Sequence, residues 1–191
     1  MKTLIINGSP RKRGDTTELL TALKKQLAGE IVEISAYYDK VAPCNDCRYC
    51  WRKKGCVIKD DMTMIYKDDF DTVVIASPLY MSNLTGPLMC LASRFQAYYA
   101  ARRFLKDAID IKEKTGVLIL VGGGDGGPEP AIHMAKWMFK HMKANLNEDN
   151  KVFSLNTDKL PAKEDHDALM KISEIATRIN KYKGEIINEE S

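Results

Sequence analysis

The run Lys2-Thr3-Leu4-Ile5-Ile6-Asn7, followed directly by Gly8-Ser9-Pro10-Arg11-Lys12-Arg13-Gly14-Asp15-Thr16-Thr17, decides how this chain is read. The apolar half predicts a strand, the glycine- and proline-marked half a polar turn, and the residues after it a helix. A strand that empties into a helix N-terminus gathers unpaired backbone N–H groups and the positive end of the helix dipole. Both stabilise a phosphate. Ser9, Thr16 and Thr17 add hydroxyl donors, and Arg11, Lys12 and Arg13 place three positive charges in the same turn. Asp15 and Glu18 stand at the spacing of an N-cap and its N3 partner, so a capping box is expected to fix the helix start.

Working outward, short β-branched runs alternate with longer amphipathic segments. Strands are predicted at 2–7, 30–36, 72–76, 115–121 and 151–155, and helices near 15–28, 60–69, 86–101, 129–145 and 163–182. Near-continuous apolar character in the first, third and fourth strands marks them as central and covered on both faces, as parallel strands are. The expected architecture is a doubly wound α/β sandwich of five parallel strands in the order 2-1-3-4-5. Its ligand crevice lies beyond the carboxyl ends of strands one and three. Loops 8–15, 77–85 and 122–128 would then surround one site. The 191 residues suit a single domain, taken as 1–182, with a polar tail from Lys183 to Ser191.

Composition narrows the function. Lysine and arginine number 29 against 26 acidic residues, and the charges are scattered, which argues against a nucleic-acid partner. No apolar run is long enough to span a membrane and the N-terminus does not read as a signal peptide, so a cytoplasmic protein is expected. His133, His141 and His166 show no metal-ligand spacing and read as surface or packing residues. Met134, Met138 and Met142 form a stripe at helical spacing that suits a core or a subunit interface. No pair of carboxylates suggests hydrolysis.

Gly8-Ser9-Pro10-Arg11-Lys12 with Gly14-Asp15-Thr16, then Ser77-Pro78-Leu79-Tyr80 with Gly86 and Arg94, resembles the flavodoxin-like NADPH-dependent FMN reductase family over nearly the whole chain. That resemblance implies that Ser9, Arg11, Asp15, Thr16 and Thr17 hold an FMN phosphate. It implies that Pro78, Leu79, Tyr80 and Asn83 follow the ribityl chain and ring, with Gly122, Gly123 and Gly124 at the ring's edge. A flat, polarizable ring needs aromatic or apolar contact and close backbone, which Tyr80, Met81 and these glycines can offer. Gly122 to Gly127 also fit the G-x-G-x-x-G pattern. They follow the fourth strand rather than the first, and Glu148 and Asp149 precede the fifth strand instead of ending it, so a dinucleotide fingerprint is rejected.

The chain departs from the family pattern at Asp15, where asparagine is usual, and at Met89 and Ser93, where the family often carries a lysine and an aspartate before the arginine. Asp15 adds negative charge beside a phosphate site, so Asp15→Asn is expected to tighten FMN binding.

Four cysteines, Cys44, Cys47, Cys50 and Cys56, fall in an insert loop at 43–57. Their compact spacing resembles the [4Fe–4S] motif of the iron–sulfur flavoprotein subfamily. A zinc site and a set of unmetallated thiols are the alternatives. Cys90, alone in an apolar helix, reads as a buried small hydrophobe.

The resulting expectation is an FMN-dependent oxidoreductase that takes a hydride from NADH or NADPH and passes electrons to a small acceptor such as a quinone, nitro compound or flavin. No protein side chain is assigned as catalytic, because the flavin carries the chemistry. The alternative is FMN with a [4Fe–4S] cluster serving electron transfer to a ferredoxin-like partner. A homodimer or homotetramer is implied by the resemblance, with Tyr98 and Tyr99 as possible contact residues.

Overall fold

A computed structural model describes residues 1–67, 69–105, 111–124 and 126–189. Its strands are β1 (Lys2–Asn7), β2 (Glu30–Ser35), β3 (Thr72–Pro78), β4 (Lys114–Val121), β5 (Ala144–Asn145) and β6 (Lys151–Ser154). Its helices are α1 (Asp15–Lys24), α2 (Gly86–Ser93), α3 (Gln96–Phe104), α4 (Glu129–His141) and α5 (His166–Glu189). Every strand pairing is parallel, and the order is β2-β1-β3-β4 with β5 and β6 both along the outer edge of β4. This is the expected flavodoxin-like doubly wound sheet, with its fifth position filled by two short pieces. The two-residue β5 meets the start of β4, and β6 meets its end.

Alternation along the central strands builds two cores. Leu4, Ile6, Val73, Ile75, Leu118 and Leu120 pack beneath α2, α3 and α4. Ile5, Val74, Ala76, Val117, Ile119 and Val121 face the opposite side, where α1 and α5 supply Leu19, Leu20, Leu23, Ile172 and Ile175. Strands buried on both faces need side chains of one chemistry throughout, which is why their sequence is so uniformly apolar. Met138 and Met142 are buried in the first of these cores and Met134 packs against it, so the methionine stripe is core.

Several helix bounds differ from expectation. The segment predicted as one helix over 86–101 is two, because the chain tightens at Arg94 and Phe95. There N–H groups reach back three residues, Arg94 to Leu91 (3.0 Å) and Phe95 to Ala92 (3.0 Å). Residues Asp61–Lys67 form a 3₁₀ helix rather than an α-helix. α1 stops at Lys24, and Gly29 turns the chain with φ 93 so that Glu30 can bond Met1 (3.0 Å). α5 continues past residue 182 through most of the segment read as a polar tail.

His141 closes α4 with its side chain buried against Trp137 and Arg102, whose guanidinium bonds the ring at Nδ1. Burial, helped by Arg102 and Lys140, pushes its pKa down to about 4. The native state therefore keeps the ring neutral while the unfolded chain takes up a proton near its ordinary value. Stability is complete above that value and falls as the pH drops toward the native one. We expect a loss of about 2 kcal/mol between about pH 7 and about pH 4.5 from this group. Urea unfolding at the two pH values checks it, and His141→Gln should remove this part of the slope.

Candidate functional site

Three loops leave the carboxyl ends of β1, β3 and β4, and hydrogen bonds fasten them together. Gly8 N–H bonds the Ala76 carbonyl (2.7 Å), the Thr85 hydroxyl bonds the Gly8 carbonyl (2.9 Å), and Leu79 N–H bonds the Val121 carbonyl (2.7 Å). A side chain at Gly8 would force its neighbours to shift, since a Cβ would lie 2.7 Å from Leu88 Cδ2 and 3.1 Å from Ser77 Oγ.

In the first loop Ser9 is buried. Its Oγ accepts from Arg11 N–H (3.2 Å) and lies 3.2 Å from the Arg11 carbonyl, while its own N–H bonds Asn7 Oδ1 (2.9 Å). Thr17 Oγ1 donates to the Arg11 carbonyl (2.7 Å), and the Tyr38 hydroxyl donates to the Pro10 carbonyl. The first turn-closing bond of α1 runs from Glu18 N–H to the Gly14 carbonyl (2.9 Å). The amides of Asp15, Thr16 and Thr17 thus head the helix, ahead of any carbonyl of their own helix that could take them. Thr16 is buried beside them, whereas Arg11, Lys12 and Arg13 are exposed.

The expected capping box is not formed. Gly14 is the N-cap, no side chain caps the helix, and Asp15 is the first helical residue. Asp15 Oδ1 instead accepts the Ala162 N–H (2.8 Å), tying α1 to the connection before α5. Asparagine can keep that acceptor and removes a charge, so Asp15→Asn should leave stability nearly unchanged and strengthen FMN binding about threefold to tenfold. Flavin-fluorescence titration checks it; weaker binding would mean that the carboxylate serves the loop as well as the fold.

The second loop makes a two-residue turn. Tyr80 and Asn83 exchange backbone hydrogen bonds (2.9 and 3.0 Å), and Met81 and Ser82 both occupy left-handed conformations, with φ 52 and 61. Neither is glycine, so the turn is strained by about 1–2 kcal/mol per residue. Met81 is 99% exposed and Tyr80 49%. Asn83 Oδ1 accepts from Leu84 N–H (2.8 Å), and Ser82 O accepts from Ala131 N–H (3.2 Å).

At the third loop the room left by glycine is bordered by Asp158. A Cβ on Gly123 would sit 2.6 Å from Asp158 Oδ1, and Asp158 N–H bonds the Gly123 carbonyl (3.1 Å). Gly122 borders Leu79 and Leu155, and Gly124 faces the Asp158 carboxylate. Asp125 lies outside the described residues. Sequence reasoning missed both Asp158 and Thr85, although the polar run Asn156-Thr157-Asp158 after the fifth strand was available as a signal.

Cys44, Cys47, Cys50 and Cys56 line one cavity of about 480 Å³, together with Trp51, Arg94, Tyr99 and Phe104. Trp51 stacks on Phe104 at 4.3 Å between centroids, and the Arg48 guanidinium lies 4.9 Å from the Trp51 ring. Cys44 N–H bonds Ser93 Oγ (2.9 Å), which in turn donates to the Cys90 carbonyl (2.6 Å). Ser93, where the family often has a charge, thus anchors the cysteine loop. Burial raises the Cys50 thiol pKa, and the neighbouring Cys44, Cys56 and Cys47 add to the rise. Among the described residues, no three His, Cys, Asp or Glu side chains converge closely enough to hold a metal ion. Cys90 is exposed rather than buried, because its side of α2 is not covered. Tyr98 is buried, while Tyr99 is exposed on the cavity wall.

Residues 1–158 match the profile of NADPH-dependent FMN reductases. The chain belongs to that family. It is 36% identical over 138 residues to an iron-sulfur flavoprotein of Methanocaldococcus jannaschii, covering 69% of this chain and 67% of the relative. It is 30% identical over 186 residues to the iron-sulfur flavoprotein of Methanosarcina thermophila, covering 94% of this chain and 93% of the relative. The fold matches the FMN-dependent NADH-azoreductase of Bacillus anthracis, solved with FMN, at a TM-score of 0.62 and 18% identity, covering 94% and 99% of the two chains. This family member is an oxidoreductase whose cofactor is FMN. Among the described residues no helix is long and apolar enough to cross a membrane.

Proposed function

We propose that this protein accepts reducing equivalents from NADH or NADPH on bound FMN and delivers them to a small-molecule acceptor such as a quinone, nitro compound or flavin. The observation that carries the reading is the fastening of three strand-end loops by the Gly8, Leu79 and Thr85 hydrogen bonds, which makes a single cradle of them. FMN supplies the hydride and electron chemistry when bound. The chain's part is to bind and orient.

The α1 amides and the hydroxyls of Ser9, Thr16 and Thr17 suit the phosphate, with Arg11 offsetting its charge. Pro78, Leu79, Tyr80 and Asn83 would lie along the ribityl chain and ring. Gly122, Gly123 and Gly124 would border the ring's edge, and the nearby Asp158 carboxylate would oppose negative charge there. No side chain is assigned a proton-transfer role. The test is FMN titration of stripped protein, then anaerobic addition of NADH or NADPH. Bleaching of the flavin band is expected, and a protein that cannot be loaded with FMN would overturn the reading.

A second reading adds a [4Fe–4S] cluster and single-electron exchange with a ferredoxin-like partner. It is favoured by four thiols on one cavity wall and by the names of the two relatives. The donor set fits such a group in kind and number; closing on it would require the loop to draw the thiols together. Cys44, Cys47, Cys50 and Cys56 would be the ligands. Iron, sulfide and zinc assays on anaerobic protein separate cluster, zinc and free thiols. FMN that binds but resists both nicotinamides would favour this reading. A homodimer or homotetramer is tested by light scattering.

A further inference from the structure

Arg94 follows directly after α2 and is wholly buried. Its Nη1 donates to the Ala42 carbonyl (2.8 Å) and Asp60 Oδ2 (2.6 Å), and its Nη2 to the Ile58 carbonyl (3.2 Å) and Asp60 Oδ1 (3.3 Å). Ala42 precedes Cys44, while Ile58 and Asp60 follow Cys56. One guanidinium therefore ties together the two ends of the loop that carries all four thiols. A planar fork with fixed donor directions can do this where an ammonium cannot.

The third nitrogen tells more. Arg94 Nε is buried and has no hydrogen-bond partner among the described residues, while the side chain helps to line the thiol cavity. Clamping the loop uses only the two terminal nitrogens. Burial works against the Arg94 charge, but Asp60, Tyr66 and Cys56 more than offset it and hold the group protonated, and the four cysteines line the same cavity as its side chain. A buried cationic N–H in a side chain that lines a thiol cavity is suited to an N–H···S bond, and such bonds favour the more negative, reduced form of an iron–sulfur group.

We propose that Arg94 is a positioning residue of the cysteine site: its Nη atoms clamp both ends of the Cys44–Cys56 loop, and its Nε–H donates to a sulfur of the cluster that the loop would hold. This rests on the reading of the four cysteines as cluster ligands. Arg94→Lys keeps a positive charge opposite Asp60 but loses Nε–H and the fork.

Two measurements test it. In metal-free protein, alkylation of the loop cysteines should be about tenfold faster in Arg94→Lys than in wild type, as a loop released from its clamp opens more often. In anaerobically reconstituted protein, Arg94→Lys should hold less iron and sulfide, and the cluster it retains should have a more negative reduction potential. Equal alkylation rates would overturn the clamp, and an unchanged potential would overturn the sulfur hydrogen bond. Wild-type protein that takes up no iron or sulfide would sink the cluster reading and the sulfur bond together, while the alkylation rates would still decide the clamp. Should Arg94→Lys fail to fold by circular dichroism, Asp60→Asn carries the alkylation comparison with the guanidinium in place.

Discussion

Asp60→Ala should lower the unfolding free energy by about 3–5 kcal/mol, because it strands a buried guanidinium without its counter-charge. The Arg94 side chain is fully buried and that of Asp60 is 10% exposed, with 2.6 Å between Nη1 and Oδ2. The carboxylate also accepts from Ala42 N–H (3.0 Å) and Met62 N–H (3.2 Å), so its loss leaves several donors unpaired. Burial opposes its ionisation, yet the Arg94 hydrogen bond and the Ala42 amide overcome this and hold its pKa below the ordinary carboxylate range. Replacing both partners with apolar residues, as in Asp60→Leu with Arg94→Met, should recover part of the loss, since no charge is then left alone. Chemical denaturation of the single and double variants checks both statements. A loss under about 1 kcal/mol in Asp60→Ala would show that solvent reaches the pair and screens it.

The second large effect is expected on ligand binding. Ser9→Ala should weaken FMN binding roughly 10- to 100-fold, equivalent to about 1.5–3 kcal/mol for losing one hydrogen bond to a charged group. Ser9 Oγ is bonded to both backbone groups of Arg11, so the alanine variant would remove the proposed phosphate donor and also loosen the turn that presents the others. Riboflavin supplies the control. It lacks the phosphate, so its affinity should change far less than that of FMN. Equal losses for the two ligands would mean that Ser9 shapes the loop without touching the phosphate.

The sheet was legible because its code is local. β1, β3 and β4 are uniformly apolar since both faces are covered, and a strand–turn–helix sequence marks the first crossover wherever it occurs. The corrections come where long-range contacts override local pattern. Nothing between Gly86 and Ala101 signals a helix break; the break at Arg94 accompanies an ion pair with a residue 34 positions earlier. Asp15 and Glu18 have the spacing of a capping box, but Ala162 offers the Asp15 carboxylate a distant N–H and the cap falls to Gly14. Asp158 could not be placed against Gly123 from sequence, because the turn after β6 brings it there. The cysteine spacing put four thiols in one loop and was silent on the arginine that ties the two ends of that loop together.

The turn at Met81 and Ser82 holds a costly backbone shape, its ends bonded to each other and Ser82 braced by Ala131. A segment fastened in this way has little freedom left to surrender, so if the proposed flavin ring settles against it, preorganisation here would favour tight association and slow release. The thioether that stands in open water at its tip is apolar surface whose covering would add to the same gain.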